Sequence, residues 1–440
     1  MAGKAAQLAP VRGRERIDVL DIARGLAILG IYYLNIAFQA YPATMMFLGP
    51  WHVGWTPGDQ AAYAFTNIFL EGTQRCLLEF LFGAGMMVLT AKAMEPDGPV
   101  AVADLYFRRT LWLAAFGLFD IFVWLWTGDI LFIYALAAMP LFVFRQLGPK
   151  TLVALGLIYT VYAGAFGLPE YIERTQLVAR VDTATAHQKA GVPLTSDDKA
   201  AVTEWKGLQA SVTTVPPGTD KKLAEEKQRH TSVVGYYRNY WQLWSLIFVQ
   251  QSYLFEIVFE AFCAMLIGIA LWKWGVIQGL RSARFYAVLM VAGYAVGITI
   301  RATSIIPMMQ FSFAPKPIWF LAEPARLAVG LGHLALINLL VKWRFGRTIL
   351  SPFKAAGRTA FSLYFLEQLI GVHILFAPYG FNLWGRFGWA GQFWIATGVF
   401  VTCLIVANIW TRFFAMGPLE WAWRSLSYLR RQPFRIQRGA

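Results

Sequence analysis

Charge is what this chain has least of. Only 15% of its 440 residues are Asp, Glu, Lys or Arg, while 57% are hydrophobic; a soluble globular domain carries roughly 25% charged and about 45–50% apolar residues. An ordinary soluble enzyme is excluded, and the length is better counted in membrane spans than in soluble domains. Cysteine is also scarce. Cys76, Cys263 and Cys403 fall inside apolar segments without CxxC or Cys/His spacing, so neither a disulfide framework nor a metal site is expected. No P-loop, dinucleotide fingerprint, HExxH helix or GxSxG elbow stands in a suitable setting, and no internal repeat is visible. The formal net charge of +14 is spread over short basic clusters between apolar runs. That pattern points to membrane topology and away from nucleic acid as a partner.

What the chain has in quantity is apolar runs long enough to cross about 30 Å of hydrocarbon. They occupy 18–39, 68–91, 106–126, 130–147, 152–169, 250–274, 284–306, 318–340, 359–378 and 390–414. The expected fold is therefore all-α, a polytopic integral membrane protein of about ten transmembrane helices. Gly128-Asp129, Gly148-Pro149 and Pro307 read as turns between them. Asp21 and Arg24 interrupt the first run, which reads as a span and not as a cleaved signal peptide.

Lysines and arginines near span ends stay on the cytoplasmic side during insertion. In this chain they alternate. One side receives 23 of them, beginning with Lys4, Arg12, Arg14, Arg16 and Lys92, continuing through Arg108, Arg109, Arg358 and Arg424, and ending at Arg438. The short connections on the other side hold Lys316 and Arg386. Both termini are expected in the cytoplasm. Residues 170–240, with ten basic and nine acidic side chains, form the one long polar insert. It divides the chain into a five-span half at 1–169, an extracytoplasmic insert at 170–240 and a second five-span half at 241–440 with a basic tail. Pro216-Pro217-Gly218 breaks the insert, which reads as a partly helical cap or a flexible loop, and Tyr236 to Trp244 as an interfacial helix.

Four arginines are left inside the spans: Arg24, Arg75, Arg301 and Arg326. A charge at mid-bilayer costs about 2.5–3.5 kcal/mol on insertion scales, so such groups face a partner or a polar cavity. Acids at similar depth are Asp21, Glu71, Glu79, Asp120, Glu256, Glu260, Glu323 and Glu367. Asp21 with Arg24, Glu71 with Arg75 and Glu79, and Glu323 with Arg326 have the spacing of one helix face. Structural salt bridges and a substrate site explain these pairs equally well. Glu256 and Glu260 would repel unless a proton or cation intervenes, and Arg301, with no acid in its own span, is the expected partner. His187 and His230 in the insert are expected to be solvated; His333 and His373 are expected to be hydrogen-bonded within the bundle. His52, in Gly49-Pro50-Trp51-His52 after the first run, puts a titratable base on the outer side, where a Trp-rich interfacial loop is the plainer explanation. Gly83, Gly85, Gly330 and Gly332 are expected to permit close helix packing.

Several phrases resemble one family. Leu20-Asp21-Ile22-Ala23-Arg24-Gly25 with Asn35, Phe80-Leu81-Phe82-Gly83-Ala84-Gly85, Gly128-Asp129-Ile130-Leu131 with Tyr134, and Met265-Leu266-Ile267-Gly268 carry the resemblance. So do Gly357-Arg358 with Tyr364, and Gly417-Pro418-Leu419-Glu420-Trp421 with Trp423 and Arg424. Together they are similar to the YeiB-like bacterial membrane proteins, catalogued as a domain of unknown function. Leu363, Glu367 and Asp120 depart from that pattern, and the insert matches it poorly. The Asp-x-x-Arg-Gly opening also looks like that of transmembrane acyltransferases, which move an acyl group from a cytoplasmic donor to an outward acceptor with a His after the first span as base.

The resemblance implies a bacterial cytoplasmic-membrane protein embedded in the lipid bilayer, and it leaves oligomeric state open. It frames an acyl transfer from acyl-CoA as donor to an envelope glycan or small molecule. His52 or Asp120 would be the base, Asp21 and Arg24 would shape the pocket, and Arg24 would bind donor phosphate. The alternative is a transporter in which Glu256, Glu260, Glu323 and Glu367 relay protons or hold a cation while Arg301 or Arg326 binds an anionic solute. Arg75 and Asn35 complete the candidate binding set.

Overall fold

The computed structural model describes residues 17–90 and 101–436. Lys4, Arg12, Arg14, Arg16, Lys92 and Arg438, counted above for orientation, lie outside the described residues. The described residues are helical, apart from connections and an isolated antiparallel bridge between Phe414 and Arg435. Six helical stretches are long and apolar enough to cross a membrane: Asp18–Ala40, Pro149–Lys189, Tyr253–Lys273, Ala283–Met309, Ile318–Val341 and Trp389–Trp410. The runs at 130–147 and 359–378 fold as the shorter apolar stretches Leu131–Gln146 and Ala360–Leu375. The remaining two become α4 (Thr73–Thr90) and α5 (Ala101–Phe122).

The first helix, α1 (Asp18–Ala40), runs through the middle of the bundle, with Ile22, Leu29, Tyr32 and Ile36 fully enclosed. Asp18 and Asp21 in its first turn suit the positive end of the helix dipole. It packs against α4, α16 (Pro352–Arg358) and α18 (Trp389–Trp410). Gly25 and Gly357 let α1 and α16 touch: a Cβ on Gly25 would lie 2.9 Å from the Gly357 nitrogen and 3.1 Å from Ala356 Cβ. The Arg-Gly phrase of the first span and the Gly-Arg phrase near the end of the chain are thus one packing contact. Elsewhere α4 packs on α12 (Tyr253–Lys273), and α13 (Ala283–Met309) on α14 (Ile318–Val341).

Three features differ from expectation. Wide helical turns stand at Thr66–Leu70, Ser245–Gln250 and Leu369–Leu375, so three runs read as continuous begin at a break or contain one. Gly72 and Ser252, with φ of 64° and 58°, adopt the left-handed conformation at two of these breaks. Gly72 carries a recognisable signal for that conformation, and Ser252 carries none. Pro307 lies inside the last turn of α13, and the helix ends at Met309. The boundary expected at 169/170 falls within α8 (Ile158–Lys189), which continues unbroken through Pro169 into the insert.

The insert is helical apart from short connections at 190–195, 214–218 and 230–232. After α8 come α9 (Ser196–Thr213), α10 (Thr219–Arg229) and α11 (Val233–Trp244), with Gly218 in the left-handed conformation after Pro216-Pro217. It is docked. Glu226 accepts hydrogen bonds from the backbone nitrogens of Ala43 and Thr44 at 2.8 and 3.2 Å, just after α1. His230, expected in solvent, is buried, stacked 4.0 Å from Trp384 and hydrogen-bonded to the Phe376 carbonyl at 3.0 Å.

Candidate functional site

Among the described residues two buried polar regions hold the arginines expected inside the spans and their neighbours, and the second of them lines a cavity. The first joins α4, α12 and α14. Arg326 bonds Glu323 at 2.7 and 2.9 Å, Glu79 at 2.8 Å and Glu260 at 2.8 Å. Arg75 reaches Glu260 at 2.5 Å and lies 3.7 Å from Glu79. Glu323 and Arg326 thus pair as their spacing suggested. Glu71 does not join Arg75 and Glu79 on one face, because the helix breaks at Glu71-Gly72 and α4 starts at Thr73.

Arg301 has a different role from the one its sequence position suggested. Its guanidinium donates to the carbonyls of Asn67, Ile68 and Glu71, at 3.4, 3.2 and 2.6 Å. It caps carbonyls freed by the break at 66–72 and is not the counter-ion of Glu256 and Glu260. His333 does the same for the Phe69 carbonyl at 2.9 Å and holds the Tyr294 hydroxyl at 2.8 Å. His373, also bonded within the bundle, contacts Trp124 and Tyr379. Glu256 stands half-buried in the first turn of α12, one turn from the ion-paired Glu260.

The second region is a cavity of about 260 Å³ between α1, α4, α5, α6 (Leu131–Leu141), α16, α17 (Ala360–Gln368) and α19 (Pro418–Ser427). Four arginines line it: Arg24, Arg109, Arg358 and Arg424. Glu420 is the carboxylate among the lining residues, and its charge is committed elsewhere. It accepts the Phe361 nitrogen at 2.6 Å, the Ser362 nitrogen at 3.3 Å and the Ser362 hydroxyl at 2.5 Å, capping the start of α17. Arg109 lies 4.2 Å over the Trp423 ring, whose indole nitrogen donates to the Arg109 carbonyl at 2.9 Å. Arg24 contacts Asp21 at 3.3 Å with about a third of its side chain exposed, and Arg358 reaches the Ala415 carbonyl at 3.0 Å.

Beyond the arginines the walls are apolar. One stripe of α4, from Leu78 through Phe82, Gly85 and Met86 to Leu89, faces Ile28 and Leu113. The inner end is closed by Ile130, Tyr134 and Tyr364. Behind it, Asp129 accepts the Leu131 and Phe132 nitrogens at 3.1 and 2.7 Å, and the Ile130 nitrogen donates to the Tyr364 hydroxyl at 3.2 Å. Asp120 is buried there, hydrogen-bonded to Asp129 and to the Gln368 amide nitrogen, which reaches it at 2.5 Å.

Among the expected site residues, Arg24 lines this cavity. Asp21 supports it from behind, and Asp120 sits beyond its inner wall. His52 is elsewhere, half-buried in the short turn Pro50–His52, 5.9 Å from the Trp51 ring. Asn35 is half-buried on α1, and Glu367 is buried on α17 with neither carboxylate oxygen hydrogen-bonded among the described residues. Sequence reasoning missed Arg109, Arg358 and Arg424 because topology already accounted for them. It also misplaced Gly85. A Cβ on Gly83 would lie 3.1 Å from the Ile269 nitrogen, as close packing requires, but one on Gly85 meets nothing within 4 Å and points into the cavity.

The lining brings together phrases far apart in sequence. Residues 271–430 match the family described as Protein of unknown function (DUF418). YxaH of Bacillus subtilis (strain 168) is 30% identical over 439 residues, covering 97% of this chain and 98% of its own. The chain belongs to the DUF418 family. YeiB of Escherichia coli (strain K12) is 26% identical over 427 residues, covering 94% of this chain and 96% of its own. Both relatives are described as uncharacterised, so family membership brings a bacterial multi-pass membrane protein and no reaction. No solved structure matches the chain.

Proposed function

We propose that this protein transfers an acyl group from acyl-CoA, bound in the arginine-lined cavity, to an acceptor that arrives from the opposite membrane face. The observation that carries the reading is the cavity itself. Four guanidinium groups sit at one end of an apolar pocket whose lining carboxylate is already bonded. Guanidinium forks suit phosphate oxygens, and the apolar interior suits the arm that separates those phosphates from the thioester, bringing the acyl group to the inner wall. The basic end faces the cytoplasm in a ten-span arrangement with both termini inside, which puts the cavity within reach of a soluble anionic donor.

The chemistry needs one base. An acceptor hydroxyl or amine attacks the thioester carbonyl carbon, the C–S bond breaks, and the base passes the acceptor's proton to the departing thiolate. Asp120 is the favoured base, acting from beyond the inner wall through Asp129, which it bonds and which accepts the nitrogen of the lining residue Leu131. His52 would serve only an acceptor held in the outer loop. Asp21 orients Arg24 through its 3.3 Å contact. The transport reading has less support: the broken helices favour it, but Arg301 and Arg326, its solute-binding groups, are engaged by three carbonyls and three carboxylates.

Full-length protein in liposomes with acyl-CoA on the basic side should release CoA when a glycan acceptor is supplied on the other. Arg24→Gln and Asp120→Asn should each abolish the release. Solute uptake without CoA release, unaffected by Arg24→Gln, would replace this reading with transport.

A further inference from the structure

Two tyrosines close the inner end of the cavity, and their hydroxyl groups are engaged in opposite senses. Tyr134, on α6, donates its proton to the Arg75 carbonyl at 3.0 Å, so its O–H is committed to the backbone of α4. Tyr364, on α17, accepts: its oxygen takes the Ile130 N–H at 3.2 Å, and its own O–H has no acceptor among the described residues. Tyr364 is only 1% exposed. Buried donors are nearly always paired, so a hydroxyl proton left over at a cavity wall is one that an occupant of the cavity takes up.

The position of that hydroxyl is fixed from both sides. Glu420 caps the start of α17 through the Phe361 and Ser362 nitrogens, one turn before Tyr364. On the other side, Asp129 accepts the Leu131 and Phe132 nitrogens at 3.1 and 2.7 Å and pins the first turn of α6, where Ile130 supplies its N–H. Helix α5 presses on the same turn: a Cβ on Gly117 would lie 2.7 Å from Phe132 Cβ and 2.8 Å from Asp129 Oδ2. A hydroxyl that receives a hydrogen bond is polarised to give a stronger one. A donor held in place before the reaction needs no reorganisation when charge develops beside it.

We infer that Tyr364 is a catalytic residue whose O–H donates a hydrogen bond to the thioester carbonyl oxygen and to the oxyanion which that oxygen becomes. This rests on the acyl-CoA reading, in which the acyl group stops at the inner wall, and adds to it the group that stabilises the transition state. As the acceptor's oxygen or nitrogen bonds to the carbonyl carbon, a C=O electron pair moves onto the oxygen. Tyr364 holds that oxygen and keeps its own proton. The pair returns to re-form C=O as the C–S bond breaks, and the acceptor's proton reaches the thiolate through the base. Tyr134, whose proton is on the Arg75 carbonyl, shapes the wall and takes no part in this step.

The contact is read first by infrared spectroscopy on the full chain in lipid nanodiscs, with acetyl-CoA carrying an isotope label in its thioester carbonyl. The bound carbonyl should absorb at lower frequency than the free one, and the shift should vanish in Tyr364→Phe and persist in Tyr134→Phe. Transfer to water, read as CoA release from acetyl-CoA, passes through the same oxyanion. Its kcat should fall about 10²–10³-fold in Tyr364→Phe, the loss that follows removal of one oxyanion donor, while KM stays near the parent's. Tyr134→Phe should stay near the parent in both. Should Tyr364→Phe fail to fold, since it leaves the Ile130 nitrogen unpaired, a fluorotyrosine at position 364 keeps the shape, has the more acidic hydroxyl and should enlarge the infrared shift. A bound carbonyl that absorbs like the free one, a shift unmoved by either change at Tyr364, or an equal fall of kcat in Tyr134→Phe overturns the catalytic role and leaves the donor site standing. Failure of the parent protein to bind acetyl-CoA overturns both.

Discussion

The two buried polar regions use the same side chains to opposite ends. In the cluster of α4, α12 and α14, each arginine is met by carboxylates: Arg326 holds three and Arg75 holds Glu260 at 2.5 Å. In the cavity, four arginines share a wall with one carboxylate that caps a helix. The cluster closes on itself, whereas the cavity arginines border about 260 Å³ of space. A buried pair contributes little net stability, but removing one partner strands the other, at about 3–5 kcal/mol. An arginine at an open mouth has solvent to fall back on, and its loss is felt when a ligand arrives.

That difference can be broken most forcefully at Arg326. Arg326→Leu leaves Glu79, Glu260 and Glu323 facing one another in the bundle, and a loss of about 3–5 kcal/mol is expected, read as a collapse of yield or a large fall in the detergent melting temperature. Adding Glu79→Gln and Glu323→Gln should recover much of the loss, since the stranded charges go with their partner. If Arg326→Leu melts like the parent, the cluster is not the closed ionic lock described above. At the cavity, Arg24→Gln should lower the melting temperature much less than Arg326→Leu does, since Arg24 is about a third exposed and meets Asp21 at 3.3 Å, whereas Arg326 is buried among three carboxylates. Binding of a CoA thioester should weaken by about 10–100-fold, from roughly 1.5–3 kcal/mol for a charged hydrogen bond. Parent affinity should fall with added salt, and a salt-independent affinity would argue against phosphate recognition by the arginines.

Gly83 and Gly85 sharpen the contrast within one motif. Gly83→Val pushes a branched side chain into the backbone of α12 at Met265 and Ile269, and overpacking of about 1–3 kcal/mol is expected. Gly85→Ala should be neutral or stabilising by up to about 1 kcal/mol, since alanine is the better helix former and the space is open. Thermal melting of the two variants side by side decides it, and equal destabilisation would mean that Gly85 is a packing residue after all.

The sequence made the helical class, the apolar runs and the Glu323–Arg326 pairing readable, because hydropathy and i,i+3 spacing are local properties. It hid what depends on a break or on a meeting of distant helices. The i,i+4 spacing puts Glu71 on the face of Arg75, because one glycine inside an apolar run, Gly72, is a weak sign that the helix starts only at Thr73. Arg301 was given an acid partner because the freed carbonyls of Asn67, Ile68 and Glu71 exist only once that break is known. The arginine cavity was half legible. Arg24 stood out as a charge within a span, but Arg109, Arg358 and Arg424 carried a sufficient explanation as topology signals, and their convergence needed α5, α16 and α19 placed together.

The smallest expected effect lies where the insert meets the segment after α1 and the stretch around Phe376 and Trp384. His230 is enclosed by Trp384 on one face and Tyr236 on another, with the Phe376 carbonyl on Nε2, Asn382 nearby and Glu226 one turn back on its own helix. Burial lowers its pKa below the ordinary value near 6.5. In the undocked insert the ring takes up a proton more readily than in the docked one. The contribution to docking is therefore complete above about pH 6.5 and is lost as pH falls through and below that value. Asp198, held down to about 2 by His187 and Thr195, stays ionised across this window and does not share the transition. Limited proteolysis between α9 and α10 should accelerate severalfold from pH 7.5 to pH 5.5 in the parent and lose that pH step in His230→Phe. Glu226→Gln should raise cleavage at both pH values, because it weakens the grip on Ala43 and Thr44 without touching the titrating ring. A pH step that survives in His230→Phe would assign it to another group and leave His230 a packing residue only.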